Sequence, residues 1–260
     1  MTDHDIQGSE SGDIRRIRAR IYEAYHTTTS AHAPTHSTSK RLLAQLGRQF
    51  GRYLPPDRSV PTLDIGCGSG EFVLFLQQRG YSEAEGIDVS LEQITLARER
   101  GVRNVRQDNV FSYVDKYANH FSLITAFNIL EHLDRPEMFQ LMDLVVRALR
   151  PGGRFFAMVP NANGLFGSQV RYADFTHEMS FTPLSVLQLC QVVDLRIIRI
   201  FENGPVPHGL PSALRWAVWQ VIRGGLLMAR IAEGADWKWP VFTQDLLFVA
   251  ERPYATKTPG

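Results

Sequence analysis

Five short apolar runs punctuate residues 61–159: PTLDI (61–65), AEGIDV (84–89), VRQ (105–107), SLITAF (122–127) and RFFAMV (154–159). Apolar residues at helical spacing fill the gaps, at 71–79, 91–100, 110–118 and 136–149. Strand and helix alternating over short links indicate a parallel sheet covered by helices on both faces. Pro151-Gly152-Gly153 reads as a turn into the fifth run. Farther on, 183–193 reads as a helix, and 195–201 and 245–252 as strands. No crossover helix is assigned between those last two, so they are expected to pair antiparallel at one edge. The expected fold is α/β: a doubly wound, mostly parallel seven-stranded sheet with an antiparallel edge strand.

That sheet occupies residues 40–252, with insertions at 160–182 and 203–241. Apolar Leu42, Leu43, Leu46 and Phe50 predict a helix before the first strand, stopped by Pro55-Pro56. Residues 1–39 read as a flexible segment: an acidic, disordered start, a short basic helix at 14–25, and a Ser/Thr/His-rich linker at 27–39. Residues 253–260 read as a tail. The net charge of +1 provides no general field for nucleic acid, and no nucleic-acid partner is expected. Cys67 and Cys190 make neither a disulfide framework nor a zinc site, so a reducing compartment and no metal are expected. The N-terminus lacks the basic and apolar regions of a secretory signal, which predicts a cytoplasmic protein.

The first strand leads into "LDIGCGSGEF" at 63–72. Glycines between a strand and a helix let a ligand approach the backbone, and the helix start offers N–H groups. Dinucleotide enzymes space these glycines as Gly-x-Gly-x-x-Gly. Here the third comes one residue early, at Gly70, and no Gly-Lys-Ser/Thr follows, which excludes a Walker loop. Asp88, ending the next strand, suits the two hydroxyls of a ribose or, more plainly, the cap of the following helix. In "RQDNV" (106–110), Asp108 suits an adenine amino group and Asn109 a neighbouring bond. Asp64 places negative charge by the loop, which disfavours a pyrophosphate and suits a cation.

With these pieces in order, the chain resembles the class I S-adenosylmethionine-dependent methyltransferases. The resemblance rests on LDIGCGSG, GIDVS, RQDNV, FNILEHL (127–133) and ALRPGGRFFAMVPN (148–161). It implies a Rossmann-like fold and S-adenosyl-L-methionine as cofactor. The implied cofactor-binding residues are Asp64, Gly66 and Gly68 for the methionine part, Asp88 for the ribose, Asp108 for the adenine with Asn109 nearby, and Cys67, Gly70 and Val89 alongside them. Asn128 and the chain after it would line the sulfonium side. Tyr25 would belong to an N-terminal lid, if that segment is more than a docking helix.

The acceptor is less defined. The position after the fourth strand lacks the Asn-Pro-Pro-aromatic run of amino-methyltransferases and the paired glutamates of arginine methyltransferases. The insertion after the fifth strand clusters Tyr172, Asp174, His177 and Glu178 in "YADFTHEMSFT". It is similar to a D-x-TH-x-x-x-(F/Y)T segment in methyltransferases of bacterial surface-polysaccharide and glycolipid biosynthesis. That similarity implies a sugar hydroxyl as acceptor, His177 as general base and Asp174 as its orienting partner. His132 in "EHL" is a second candidate, and either histidine could instead be structural. The competing functions are methylation of another small molecule, such as a quinone or polyketide, and a non-catalytic cofactor-binding scaffold. Residues 212–232 form an amphipathic pattern with Arg215, Arg223, Arg230 and two tryptophans, which suits peripheral membrane contact or packing on protein. Gly224-Gly225 is expected to weaken or break that helix.

Overall fold

The computed structural model of the chain describes residues 45–207, 209–234 and 239–254. These lie in the compact unit Leu43–Gly260. Expectations for residues 1–39, including the lid and Tyr25, fall outside the described residues.

Residues 45–50 are helical (α1) and run into a 3-10 turn, Gly51–Tyr53. The alternation then unfolds as β1 (Thr62–Ile65), α2 (Glu71–Gln78), β2 (Ala84–Asp88), α3 (Leu91–Glu99), β3 (Val105–Gln107), α4 (Val110–Val114) and β4 (Phe121–Phe127). A 3-10 turn at Leu130–His132 precedes α5 (Arg135–Ala148) and β5 (Leu149–Pro160). The rest is α6 (Gly167–Ala173), α7 (Pro183–Val192), β6 (Arg196–Glu202), α8 (Leu210–Ala232) and β7 (Asp245–Glu251). One seven-stranded sheet has the order β3-β2-β1-β4-β5-β7-β6. β1 pairs in parallel with both β2 and β4, with Asp64 opposite Gly86 and Thr125. The strand order therefore reverses between β1 and β4, and in such sheets the crevice at the carboxyl ends of those strands is where ligands bind.

The last two strands pair antiparallel at one edge, as expected, although α8 lies between them in the chain, so the lack of an intervening helix is not what sets the pairing. β7 is the antiparallel member and lies second from the edge, between β5 and the outermost strand β6. All four β1 residues are buried, and a continuous core joins Leu63, Ile65, Ile124, Phe155 and Phe248. Phe50 of α1 is fully buried and stacks on Phe156 of β5, with ring centroids 5.0 Å apart.

Three local expectations are corrected. Pro151-Gly152-Gly153 is no turn: β5 runs through it, with a register shift and a left-handed Gly152 (φ 77°) absorbing the irregularity. α4 is five residues long rather than nine. α8 is one helix of 23 residues despite Gly224-Gly225. Glycine costs a helix about 1 kcal/mol relative to alanine, which did not break a segment of this length.

The loop after β1 needs its glycines. Gly66, Gly68 and Gly70 all have positive φ, at 65°, 51° and 78°. A Cβ at Gly66 would also overlap the Ile129 side chain. Gly66→Ala is expected to lose about 1–3 kcal/mol from the backbone alone, with a further loss from displacing Ile129. In denaturant titrations Ile129→Ala should recover only the second part. An unchanged midpoint for Gly66→Ala would show that the loop does not adopt this form.

Candidate functional site

The glycine loop is pinned at the switch point. Cys67 N donates to Ile87 O (2.9 Å) and Gly70 N to Cys67 O (2.9 Å). The Asp88 carboxylate accepts from Gly68 N at 2.9 Å through one oxygen and from Ser90 N at 2.8 Å through the other. Ser90, not Asp88, caps α3, its hydroxyl accepting from Gln93 N. Asp88 is thus spent on shaping the loop rather than on starting the helix. Above Gly68 the space is open: a Cβ there would meet only Gln93 Oε1, at 3.9 Å.

The other expected cofactor residues divide by environment. Val89 is about half exposed beside Asp88 and offers an apolar surface. Asp108 N donates to Asp88 O (3.1 Å), and the Asp108 carboxylate accepts from Asn109 N and sits 3.5 Å from Lys116 Nζ. The Asn109 side chain caps α4, accepting from Phe111 N and Ser112 N. Cys67 is buried against Gly86, and its Sγ lies 3.7 Å from Gly68 O. Asn128 is exposed at the end of β4 with φ 55°.

Four carboxyl groups gather at this carboxyl edge of the sheet, and burial raises the pKa of each. Asp64 rises to about 7 through burial, opposed by its 2.5 Å bond from Thr125 Oγ1. Glu131 rises to about 8, again chiefly through burial. Asp88 and Asp245 are raised by the same cause, against the hydrogen bonds they accept. A site that disfavours its own negative charges is relieved by a cationic occupant.

Asp64 gives a signed prediction. Its folded pKa lies above the ordinary 3.8, so its protonated form is favoured by folding. That contribution is complete below pH ~4 and is lost as pH rises toward ~7. Asp64→Asn should therefore gain thermal stability relative to wild type between about pH 5 and pH 8. A constant difference across that range would mean that Asp64 ionises normally.

A second cluster lies beside the first. The 3-10 turn after β4 buries Glu131 and His132. The insertion after β5 returns to them: Glu178 N donates to Glu131 O (2.7 Å), and Phe181 bridges to Asn161. His132 and His177, 45 positions apart, end with ring centroids 4.7 Å apart. The Asp174 carboxylate reaches His132, through Thr176, while His177 meets Asp174 by backbone, its N donating to Asp174 O at 3.2 Å. Thr176 Oγ1 donates to Asp174 Oδ1 (2.6 Å) and meets His132 Nδ1 at 2.7 Å. The hydroxyl's one proton faces the carboxylate, so His132 Nδ1 is the donor to Thr176 and its lone pair lies on Nε2. His177 Nδ1 lies 3.1 Å from Val170 O, an acceptor only, so its lone pair is also on Nε2.

Asn161, missed in the sequence, holds the insertions together. It is fully buried and donates to Val241 O (3.1 Å) and Thr243 O (2.8 Å). Thr176 and Thr125 were missed as well. Their only sequence signal is proximity to Asp174 and a place in a strand beside Asp64.

Comparison with known proteins agrees with this geometry. The family model described as a methyltransferase domain matches residues 35–200, well over half of the chain. The ubiquinone biosynthesis O-methyltransferase of Escherichia coli O127:H6 is 28% identical over 166 residues, covering 62% of this chain and 65% of that protein. The 27-O-demethylrifamycin SV methyltransferase of Amycolatopsis mediterranei is 30% identical over 139 residues, half of each chain. The chain thus spans less than two thirds of the length of these curated relatives. A SAM-dependent methyltransferase from Archaeoglobus fulgidus shares the fold with a TM-score of 0.62 at 20% identity, covering 82% of this chain and 94% of its own. The switch-point loop, the Rossmann-like sheet and the match over 35–200 place this chain in the methyltransferase-domain family.

Proposed function

We propose that the chain binds S-adenosylmethionine and transfers its methyl group to a hydroxyl of a small, lipid-associated acceptor. The observation that carries this is Asp88, which holds the glycine loop from below while open space lies above Gly68. Asp88 would hold the ribose, Val89 would lie against the adenine with Asp108 near its edge, and Asp64 would supply counter-charge. Bound S-adenosylmethionine supplies an electrophilic methyl on a sulfonium, and the electron pair of the broken C–S bond stays on sulfur as a thioether.

The chain's own residues must align an acceptor oxygen with that bond, exclude water and take up the hydroxyl proton. Glu131, His132 and His177 stand where the turn after β4 meets the insertion after β5, beside the loop that carries Ile129 against Gly66. As a unit they are suited to receive the oxygen. The hydroxyl acceptor draws support from the two relatives, whose names both specify O-methylation. These favour a ring hydroxyl, such as that of a quinol. A sugar hydroxyl of a glycan or glycolipid precursor is the second reading, favoured by the Asp174-x-Thr176-His177 segment. Incubation with methyl-labelled S-adenosylmethionine and separated quinol, polyketide and glycolipid fractions, followed by mass spectrometry, identifies the product. Label in none of them, with cofactor bound, would defeat the hydroxyl reading.

The lipid association rests on α8. Among the described residues no helix is long and apolar enough to cross a membrane. Yet Leu214, Val218, Val221 and Met228 lie exposed along α8, and Arg215 is exposed among them. Arg223 faces the domain instead, paired with Glu202 at 3.1 Å. An exposed apolar stripe with a flanking cation fits an anionic bilayer surface. The protein is expected to sediment with phosphatidylglycerol vesicles, and Val221→Asp with Met228→Asp to abolish this. Protein that stays in the supernatant at low salt would refute the contact.

A further inference from the structure

Glu131, His132 and His177 each offer one ligand atom, and these atoms lie within 4.8 Å of one another. Three features of the set point to an occupant. Glu131 is 1% exposed, and its Oε2 has no hydrogen-bond partner among the described residues. An orphaned carboxylate oxygen at that depth is costly. Both imidazoles are fixed by a partner on Nδ1, so both carry the lone pair on Nε2. The outer contacts are those that orient metal-bound histidine: a backbone carbonyl for His177, and for His132 a hydroxyl backed by the Asp174 carboxylate. The 45-residue separation of the two histidines explains why the sequence suggested no metal.

We propose that Glu131, His132 and His177 bind one divalent first-row transition-metal ion, which takes the acceptor through a pair of neighbouring oxygens. Two imidazoles and a carboxylate suit zinc, iron, cobalt or nickel better than calcium or magnesium. Three protein ligands leave coordination positions open to the acceptor. A catechol-type ring or a vicinal diol fills two of them. The cation lowers the pKa of the hydroxyl it holds, the O–H proton leaves to water, and the oxygen lone pair forms the new O–CH₃ bond as the C–S bond breaks. The acceptor's role rests on the function proposed above, whereas the binding of the ion does not.

The test uses the full chain stripped with a chelator and titrated with Co(II) alone. Visible d–d absorption and metal analysis should report one ion per chain, displaced by Zn(II). Glu131→Gln and His177→Ala should abolish the spectrum while leaving S-adenosylhomocysteine affinity unchanged, which shows that the variants are folded. Thr176→Val, which removes only the hydroxyl behind His132, should weaken Co(II) by about 10–100-fold. No Co(II) spectrum in the wild type, or one that survives Glu131→Gln, overturns the site. Full methyl transfer after chelation overturns its role in catalysis. If Co(II) fails to bind but His132→Ala still loses turnover, the metal is wrong and the functional reading stands. If Co(II) binds and His132→Ala keeps turnover, the reverse holds.

Discussion

His132→Ala is expected to lower turnover by ~10²–10⁴-fold, the usual scale for losing the assistance that removes a hydroxyl proton, whether by a base or by the cation this ring would hold. Cofactor affinity should stay close to wild type, because His132 belongs to the turn after β4 and makes no bond to the glycine loop. The effect should therefore fall on kcat and leave the cofactor's KM in place. His177→Ala should behave alike, since the two rings stand 4.7 Å apart in one cluster. The double variant should cost little more than either single one, as expected for residues that work as a unit. Steady-state assays with labelled cofactor, alongside calorimetry to confirm a folded binding site, check this. Near-normal turnover in both single variants would move the chemistry away from this cluster.

Asp88→Ala is expected to weaken cofactor binding by roughly tenfold to a hundredfold. Removing a charged acceptor costs about 1.5–3 kcal/mol, and here the same carboxylate also pins Gly68 N and Ser90 N. Asp88→Asn should do nearly as badly, because its NH₂ group would face a backbone N–H. Asp108→Ala should cost less, since its carboxylate is already engaged by Asn109 N and Lys116. Isothermal titration with S-adenosylhomocysteine separates the three. Equal affinities for Asp88→Ala and wild type would displace the ribose from this position.

The parallel sheet was legible because its signals are local. Period and glycine punctuation lie within a few residues of the feature they predict, and Asp88 follows Gly68 by a single strand–helix repeat of 20 positions. The antiparallel pairing of β6 and β7 was expected on a ground that fails, since a helix lies between them, and nothing in 245–252 says that β7 takes β5 as its other neighbour. The chain at 151–153 misled because a Pro-Gly-Gly run also suits a bulged strand, and the pairing of Leu149 with Phe121 decided the matter. In the candidate site, His132, His177 and Asp174 were all nominated, but their connection was not. Asp174 stands three residues from His177 and was read as its partner. The contact to His132 runs through the Thr176 hydroxyl and depends on how the insertion folds back over Glu131, a long-range event that spacing alone does not encode.

Asn161 sits at the start of a chain of bonds with a mechanical consequence. Leu165 N donates to Phe242 O, Phe242 N to Glu202 Oε1, and Arg223 Nε to Glu202 Oε2. Asn161 itself grips Val241 and Thr243. The start of the segment that later carries His177 is thereby fastened, bond by bond, to the apolar helix 210–232. Segments joined in this way tend to open together, as one cooperative unit. A partner of that helix that binds the open and closed forms unequally would bias the opening of this segment. Under the proposed surface attachment, substrate entry and docking would then share one coupling free energy, and a mutation that changes docking to one form alone would shift both.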